Sequence, residues 1–479
     1  MKKTPFVHLF RTSEKCYMYD VNRDQIVEIP ESAYVDLSND LESEGESTES
    51  RMWIDTMKSK GFMKTNRVKE TEHPDTALLP FYLENRLTQL ILQVTQSCNL
   101  RCSYCIYSGC YENRAHSQKM MPMWMAKKSI DYLASHSQDS KEVIISFYGG
   151  EPLLRFDFIQ ECISYAKVKL FGKPMRFNIT TNGTLLTDKM IQFFVAENVY
   201  IMFSLDGPPE IHDRNRRFAS TNQGSFAKLY NNIRLIYNKY YKYYIDHVSF
   251  NAVVDTKNGF SLLNKFVMEN PLFNKAYYAA SLVNSRYAIH HDEATDQFTN
   301  EWNYESFKFF LSKLGKIPCE KTSPLQKTVF NAMCAACLGR KFENLCELPE
   351  KWHHGGPCLP GALRLFVTAN GDLYPCERLS ESSTASRIGN IEKGIDVERA
   401  KSVLNVELAM KDKCKDCWAY RHCTICVGAV DGLDCLDGRL AEQECREVRF
   451  STEKAFKDYC SLVDLGYTFE DEKVSRMLY

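Results

Sequence analysis

The sequence predicts an α/β fold: a partial (β/α)6 barrel, with a small β-module before it and a cysteine-rich region after it. Six strand-like apolar runs recur between residues 90 and 283, separated by stretches long enough for crossover helices. Such repeats favour a parallel sheet that curves into a barrel, with its chemistry at the carboxyl ends of the strands. Thirteen of the nineteen cysteines lie beyond residue 318, which indicates a second metal-binding region.

Composition narrows the class of protein. The chain has 479 residues, 44% of them hydrophobic, enough for about two to four domains with a sizeable core. Its 60 basic and 61 acidic residues give no electrostatic case for nucleic acid or an anionic membrane as partner. No run approaches the roughly 18 to 20 apolar residues of a membrane span, and residues 1–16 lack a signal-peptide core, so we expect a cytoplasmic protein. Nineteen cysteines in that reducing compartment indicate metal ligation rather than disulfide bonds.

The N-terminal module, residues 1–87, is predicted to contain three short strands at 6–11, 16–21 and 25–29, followed by helices at 31–37 and 49–60. Gly61 is expected to end the second helix. A small sheet with helices behind it and no catalytic residues is typical of a binding module, which can take up an extended peptide as an added edge strand. The alternative is a dimerisation or capping subdomain.

The barrel is assigned to residues 88–284. Its strands are predicted at 90–95, 143–147, 176–181, 199–205, 248–254 and 276–283, with crossover helices at 123–135 and 156–170 among others. The second, third and fourth strands end in segments that contain Gly149, Gly150, Glu151, Asn182, Ser204 and Asp206. Glycine lets the backbone approach a ligand closely, and the polar side chains offer it hydrogen bonds. We therefore expect a ligand site at this end of the barrel.

A cysteine triplet, Cys98, Cys102 and Cys105, follows the first barrel strand. A structural zinc site requires four ligands, usually from paired cysteines, whereas this loop offers three sulfurs. Three thiolates on an iron–sulfur cubane leave one iron open to another ligand. The spacing, with the aromatic Tyr104 before the third cysteine, resembles the C-x3-C-x-Φ-C signature of the radical S-adenosylmethionine (SAM) superfamily.

This resemblance implies a [4Fe-4S] cluster on the triplet, SAM bound at the open iron, and a 5′-deoxyadenosyl radical formed inside the barrel. It places Gly149, Gly150 and Glu151 at the SAM ammonium, and Ser204 and Arg216 at the carboxylate and ribose. Tyr104 and Val254 match positions beside the adenine, and Asn182 and Asp206 complete the polar lining.

The C-terminal cysteines resemble the SPASM domain, the auxiliary-cluster extension of peptide-modifying radical SAM enzymes. We assign it to residues 346–460, after a bridging region at 285–345 and before a tail at 461–479. By resemblance, an outer [4Fe-4S] cluster takes Cys414, Cys417, Cys423 and Cys445, and an inner cluster takes Cys358, Cys376 and Cys426. Three clusters are therefore expected, counting the one on the triplet.

The inner cluster is one ligand short. Cys346 is expected to complete it, or the site stays open for a substrate thiolate; Cys334, Cys337 and Cys435 are further candidates. Two residues separate Cys423 from Cys426, where the family usually has three. The alternative is zinc on the C-x2-C pairs Cys334/Cys337 and Cys414/Cys417.

Glu377 directly follows Cys376, where sulfatase-maturing relatives carry an aspartate. A carboxylate beside a cluster can deprotonate a substrate thiol; the alternative is a surface or ion-paired residue. Together with the N-terminal module, which resembles the winged-helix-like recognition element (RRE) for leader peptides, these features predict a maturase of a ribosomally made, cysteine-rich peptide.

The predicted products are thioether links of the sactipeptide or ranthipeptide kind, with electrons supplied by a flavodoxin or ferredoxin. Two alternatives remain. One is other SPASM chemistry, namely C–C or C–O crosslinking or formation of formylglycine in a sulfatase. The other is a non-catalytic iron–sulfur or zinc protein that binds peptides.

Overall fold

The computed structural model describes residues 4–108, 111, 115–257, 259–283, 286–288, 293–338 and 347–472. The N-terminal module begins with an antiparallel sheet, in the order β1 (Val7–Arg11), β2 (Cys16–Asp20) and β3 (Gln25–Ile29). Helices α1 (Glu31–Asn39) and α2 (Thr48–Ser59) pack on this sheet around a small core of their own.

Local signals explain the bounds of α2. The Ser47 hydroxyl accepts a hydrogen bond from Ser50 N at 3.0 Å at its start. Gly61 follows its end with a φ of +83°, a conformation that favours glycine, which confirms the predicted stop. Two further elements, β4 (Glu70–Thr71) and α3 (Leu79–Asn85), lead to the barrel.

Six parallel strands form the barrel, each within two residues of its predicted bounds. They are β5 (Gln89–Thr95), β7 (Val143–Gly149), β8 (Met175–Thr181), β9 (Tyr200–Ser204), β11 (Val248–Val254) and β12 (Tyr277–Leu282), hydrogen-bonded in that order. A short pair, β6 (Leu100–Cys102) and β10 (Arg216–Phe218), lies outside this sheet. The crossover helices are α4 (Met123–Ser135), α5 (Phe156–Lys169), α6 (Asp188–Ala196), α7 (Pro209–Asn215), α8 (Phe226–Lys239), α9 (Tyr241–His247) and α10 (Ser261–Glu269).

The barrel strands alternate between two environments, as the two faces of a sheet require. In β7, Val143, Ile145 and Phe147 are buried in the largest hydrophobic core, which the crossover helices cover. The intervening residues of β7, such as Ser146, are half-buried and face the barrel interior. The interior therefore has room for a ligand, while the outer face stabilises the fold.

The central sheet continues into the C-terminal region, which the sequence did not predict. Strand β14 (Arg364–Val367) pairs in parallel with β5, and β15 (Asp372–Tyr374), β16 (Gly389–Asn390) and β17 (Gly394–Ile395) follow antiparallel, giving ten strands in all. Strand β13 (Lys351–Trp352) pairs with β4. The remaining helices are α11 (Asp296–Lys313), α12 (Gln326–Leu338), α13 (Val397–Leu404), α14 (Val427–Val430) and α15 (Glu442–Asp464).

The N-terminal module lies against the C-terminal region. Helix α15 packs on β1, and the Tyr17 hydroxyl donates to Asp464 Oδ1 at 2.7 Å. The buried Arg421 donates through Nε to the Val21 carbonyl at 2.6 Å. None of the helices in the described ranges has both the length and the apolar character that crossing a membrane demands.

Candidate functional site

The cysteine triplet lies in the loop that leaves the carboxyl end of β5. Strand β6 pairs antiparallel with β10, so that Cys102 stands opposite Arg216. Cys102 is buried, while Cys98 and Cys105 are half-buried. Burial, together with the charges of Glu151 and of the other two thiols, raises the pKa of Cys98 to about 12. The loop thus brings all three predicted thiols together.

These sulfurs have the surroundings that an iron–sulfur cluster needs. Leu100 N lies 3.4 Å from Cys98 Sγ, Tyr107 N lies 3.5 Å from Cys105 Sγ, and Arg216 Nη1 lies 3.8 Å from Cys102 Sγ. Hydrogen bonds to cluster sulfurs are a principal means by which proteins tune such clusters. Thiols that burial keeps protonated require a bound cation to ionise them. The residues therefore fit a cluster.

Gly149 and Gly150 hold the end of β7 against this loop. A Cβ atom on Gly149 would lie 2.2 Å from the Thr95 carbonyl oxygen, and one on Gly150 would lie 2.2 Å from the Ser97 carbonyl oxygen. Gly150 N also donates to Thr95 O at 2.7 Å. Both glycines are therefore required for close packing of the cysteine loop, and a contact with the SAM ammonium stays a prediction.

Glu151 is fully buried, and its carboxylate accepts hydrogen bonds from other residues of the protein. It accepts hydrogen bonds from Leu153 N at 3.0 Å, the Thr181 hydroxyl at 2.7 Å and Asn182 N at 2.8 Å. Burial raises the pKa of Glu151, and these three bonds oppose that shift. The carboxylate thus orders the ends of β7 and β8, and its predicted contact with a ligand ammonium is untested.

Asn182, Ser204 and Val254 occupy three different environments. Asn182 is buried, lies 3.9 Å from Cys98 Sγ through Nδ2 and also donates to Asn99 Oδ1 at 2.9 Å. Ser204 is half-buried at the end of β9, on the interior side. The Val254 side chain is buried in the hydrophobic core at the end of β11, and its contact with adenine stays a prediction.

A buried ion pair connects three predicted residues beside Cys102. Asp206 Oδ2 accepts from Arg216 Nε at 2.9 Å and from the Tyr104 hydroxyl. The Arg216 guanidinium also lies over the Tyr104 ring, 5.3 Å from its centroid. Interaction with Asp206 raises the pKa of Arg216 well above its usual range despite burial. A permanent positive charge thus stands next to the cluster cysteines, where it can attract a carboxylate.

The predicted inner and outer cysteine groups are each brought together. Burial raises the pKa of Cys376 to about 12, and Cys426 contributes to this shift, as it does for Cys358. Cys346 lies outside the described residues. In the outer group, Cys417 contributes to the raised pKa of Cys414, Cys423 and Cys445, and these three cysteines pack beside one small core.

Two of the remaining candidates form a different thiol group. Cys334 and Cys337 lie on α12, and both Cys334 and Cys460 of α15 contribute to the raised pKa of Cys337. Cys435 is exposed. Helix packing thus places Cys334 and Cys337 beside Cys460 of α15, and their candidacy for the inner group stays a prediction that this packing does not favour.

Arg286, which the sequence analysis missed, links the two predicted groups. Its Nη1 lies 3.6 Å from Cys426 Sγ, while Nε and Nη2 donate to Glu444 at 2.8 and 2.7 Å. Glu444 precedes Cys445 of the outer group. A guanidinium thus lies between inner and outer thiols, and no local sequence signal marks it.

Glu377 stands in the wall of an interior cavity of about 340 Å³. Arg364 Nη1 lies 3.6 Å from Glu377 Oε2, which is buried and has no hydrogen-bond partner. Polar residues of the barrel strands line the same cavity, among them Gln89, Ser146, Asn178, Thr180 and Ser249. Glu377 thus lines a space that a substrate can occupy, and one of its carboxylate oxygens has an unused acceptor site.

Sequence reasoning also missed a buried polar group below the outer cysteines. Ligand atoms of His353, His354 and Glu407 lie within 4.8 Å of one another. Both nitrogens of His353 are paired with backbone groups, at 2.8 and 3.0 Å, and Glu407 accepts from His354 N and the Tyr420 hydroxyl. The donor atoms are thus largely committed within the protein, and the adjacent histidines were the only signal in the sequence.

Comparisons with known proteins agree with this geometry. Residues 92–255 match the model of the radical SAM superfamily. The chain is 33% identical over 353 residues to a cysteine-type anaerobic sulfatase-maturating enzyme of Clostridium novyi, covering 70% of this chain and 86% of the relative. It is 27% identical over 227 residues to the radical SAM cyclopropyl synthase TigE of Paramaledivibacter caminithermalis, covering 44% and 45%.

A solved structure shares the fold. Native anSMEcpe with bound AdoMet and Kp18Cys peptide superposes with a TM-score of 0.57 at 18% identity, covering 79% of this chain and 98% of that chain. The cysteine loop that follows β5 and the two glycines that pack on it all lie within the matched residues 92–255. The chain belongs to the radical SAM superfamily, in the family of the anaerobic sulfatase-maturating enzymes, and this membership implies that it binds a [4Fe-4S] cluster and SAM.

Proposed function

We propose that the protein matures a ribosomally made, cysteine-rich peptide by forming thioether links from cysteine sulfur to carbon. The observation that carries this proposal is the position of Glu377, next to the inner-group Cys376 and in the wall of the barrel cavity. A base, a thiol group and a ligand-sized space thus occur together. Relatives named for sulfatase maturation support action on a protein or peptide substrate.

Cys98, Cys102 and Cys105 would hold the first cluster, and Arg216 would bind the SAM carboxylate beside it. When bound, the clusters and SAM would supply a 5′-deoxyadenosyl radical for removal of a hydrogen atom from the substrate carbon, and an acceptor for the electron released when the C–S bond forms. The polar interior of the barrel orients the peptide, and its walls exclude water.

Glu377 has the proton-transfer role. Glu377 lines the cavity and its Oε2 lacks a hydrogen-bond partner, so a rotation of the side chain toward the cavity would let a substrate thiol donate to the carboxylate and lose its proton to it. Arg364, whose Nη1 lies 3.6 Å from Oε2, would orient the carboxylate between turnovers. The product has then lost one hydrogen atom, one proton and one electron, which together equal two hydrogen atoms per link.

The inner group is the proposed site for the substrate sulfur. Cys358, Cys376 and Cys426 provide three thiolates, and the fourth position would be taken by Cys346 or by the substrate thiolate. The outer group is a closed set of four thiols suited to electron transfer: Cys414, Cys417, Cys423 and Cys445. A flavodoxin or ferredoxin would supply the electrons. Three clusters are thus proposed.

The N-terminal module is the proposed docking site for the leader of the precursor. Strand β1 packs on α15 through Phe10 and Phe456, whose ring centroids lie 5.8 Å apart. Strand β3 pairs only with β2 among the described strands, and Gln25 and Glu28 on it are exposed. Its free edge can accept an added strand, in which backbone hydrogen bonds provide affinity.

A co-expression experiment tests the thioether proposal. The probe is a short cysteine-rich peptide with its leader, to be sought as a reading frame beside the gene and co-expressed with the full chain. We expect a mass loss of two hydrogens per link, with no reaction of the linked cysteines toward iodoacetamide. Cys98→Ala should abolish both product and 5′-deoxyadenosine, whereas Cys319→Ala, a change at an exposed cysteine, should leave both intact. Product formed by the C98A variant would overturn the mechanism.

Formation of formylglycine in a sulfatase is a second candidate function, favoured by the name of the 33% identical relative. A sulfatase-derived cysteine peptide incubated with SAM and dithionite separates the two functions, because the aldehyde reacts with hydrazide and a thioether does not. A protein that only binds peptides would release no 5′-deoxyadenosine from SAM.

A further inference from the structure

A single carboxylate from the C-terminal region contacts both ends of the SAM-cluster loop. Gln96 lies two residues before Cys98, and its Nε2 donates to Glu381 Oε2 at 2.5 Å. Tyr107 lies two residues after Cys105, and its hydroxyl donates to Glu381 Oε1. Each oxygen of Glu381 therefore holds one flank of the loop.

The two donors are fixed in the orientation that this arrangement requires. Gln96 Oε1 accepts from the Ser117 hydroxyl at 2.6 Å, which directs its amide nitrogen toward Glu381. The Tyr107 hydroxyl accepts from the buried Gln93 Nε2 at 2.8 Å, which directs its proton toward Glu381. The network therefore has donors and acceptors correctly matched at every step.

The acceptor is fixed as well. The buried Tyr374 hydroxyl lies 2.9 Å from the backbone carbonyl oxygens of both Glu381 and Ser383 and shares its single proton between them. Gln93 Oε1 accepts from Ala369 N at 2.8 Å, in the turn between β14 and β15. The segment that carries Glu381 also carries Cys376, five residues earlier. The same stretch of chain thus serves the first cysteine loop and the predicted inner group.

We propose that Glu381 is a positioning residue for the SAM-cluster loop, so that the C-terminal region completes a site to which it contributes no cysteine. Its two hydrogen bonds, here called the clamp, hold Gln96 and Tyr107 in place. The clamp thereby sets the distance between Cys98 and Cys105. This role concerns SAM cleavage itself and goes beyond the proposed thioether chemistry. Neither donor is a cluster ligand, so the effect is on geometry and not on ligand number.

Two substitutions at Glu381 test the role in the anaerobically reconstituted full chain. Glu381→Ala removes both hydrogen bonds, whereas Glu381→Gln keeps the shape and one acceptor oxygen. The readouts are the change that SAM induces in the electron paramagnetic resonance spectrum of the reduced protein, and 5′-deoxyadenosine formed without any peptide. Peptide chemistry can therefore fail without affecting this test.

For E381A we expect a weakened SAM-induced spectral change and a fall of about tenfold or more in 5′-deoxyadenosine, as the loss of two hydrogen bonds to a charged acceptor implies. E381Q should lie between E381A and the wild type. The matched control is Glu392→Ala, because Glu392 is exposed on a nearby turn and its side chain makes no hydrogen bond or ion pair among the described residues. E392A should behave as wild type.

A double-mutant cycle with Gln96→Ala keeps the proposal falsifiable. Because Gln96 and Glu381 act through one hydrogen bond, Q96A should add little to the defect of E381A. Additive defects, or a wild-type spectrum and yield in E381A, would overturn the clamp. If E381A does not fold, E381Q and Q96A decide: a partial loss in both supports the clamp, and unchanged SAM cleavage in both refutes it.

Discussion

Asp206→Asn tests whether the buried ion pair at the end of β9 orders the ligand site. Asp206 accepts from Arg216 Nε at 2.9 Å, from the Tyr104 hydroxyl, and through Oδ1 from Val253 N at 3.0 Å. Asn keeps the shape but has one acceptor oxygen, so one donor must face its NH2 group. Arg216 is only 8% exposed, and the loss of its partner leaves that charge uncompensated. Removing one member of such a pair costs about 3 to 5 kcal/mol.

Native-state hydrogen exchange measures this cost locally. In D206N we expect the amides of β9, β10 and β11 to lose about 3 to 5 kcal/mol of protection, and SAM affinity to fall because Arg216 is no longer held. The control is Asp188→Asn, whose partner Lys239 Nζ lies 2.8 Å away on the surface, where pairs contribute about 0 to 1 kcal/mol. Protection lost equally in both variants would refute an ordering role for the buried pair.

Three further predictions concern the loop, the core and the cavity. Gly150→Ala should lower iron incorporation, because its Cβ would meet a carbonyl of the cysteine loop at 2.2 Å; Gly172→Ala, with open space around it, should not, and equal iron contents would contradict this. Burial lowers the pKa of His212 to about 3, so the folded protein keeps this imidazole neutral while the unfolded chain binds a proton below about pH 6.5. The contribution of His212 to the free energy of unfolding is therefore complete above pH 6.5 and is lost as the pH falls toward 3. In H212Q the free energy of unfolding should vary less between these pH values, by up to about 1.4 kcal/mol per pH unit, and an unchanged slope would exclude His212 as the cause. Glu377→Gln should leave 5′-deoxyadenosine formation intact and abolish peptide modification, with E392Q as the exposed control; modified peptide from E377Q would remove Glu377 from the proton transfer.

The barrel was predictable because its signals are local. Each strand is a short apolar run bounded by turn residues, and β11 has the predicted bounds, Val248–Val254. Strand β14 was not predictable in this way. Its pairing with β5 joins Arg364 to Gln89 across 275 residues, and only the unpaired edge of β5 requires a partner there.

In the candidate site, too, the residues with local sequence signals were predictable and those with long-range contacts were not. Cysteine spacing identified the triplet and the inner and outer groups, since ligands recur at short intervals in a loop. Glu381 and Arg286 escaped notice because a carboxylate or guanidinium contacts its partners through the fold: Glu381 reaches Gln96, 285 residues away, and Arg286 reaches Cys426, 140 residues away. The C-x2-C spacing of Cys334 and Cys337 could not show that their helix packs on α15, beside Cys460, because that contact too is made through the fold.

Strand β5 explains why the cysteine loop and the C-terminal region form one unit. It pairs with β7 on one side and with β14 on the other, and its buried Gln93 bonds both to Ala369 beyond β14 and to Tyr107 beyond the triplet. Without the C-terminal strands, an edge of β5 and a buried amide would lose their partners, each at a cost in free energy. The loop that carries the cysteine triplet is thus supported from both sides of its strand. The C-terminal region contributes to that loop through these contacts, independently of any cluster that its own cysteines bind.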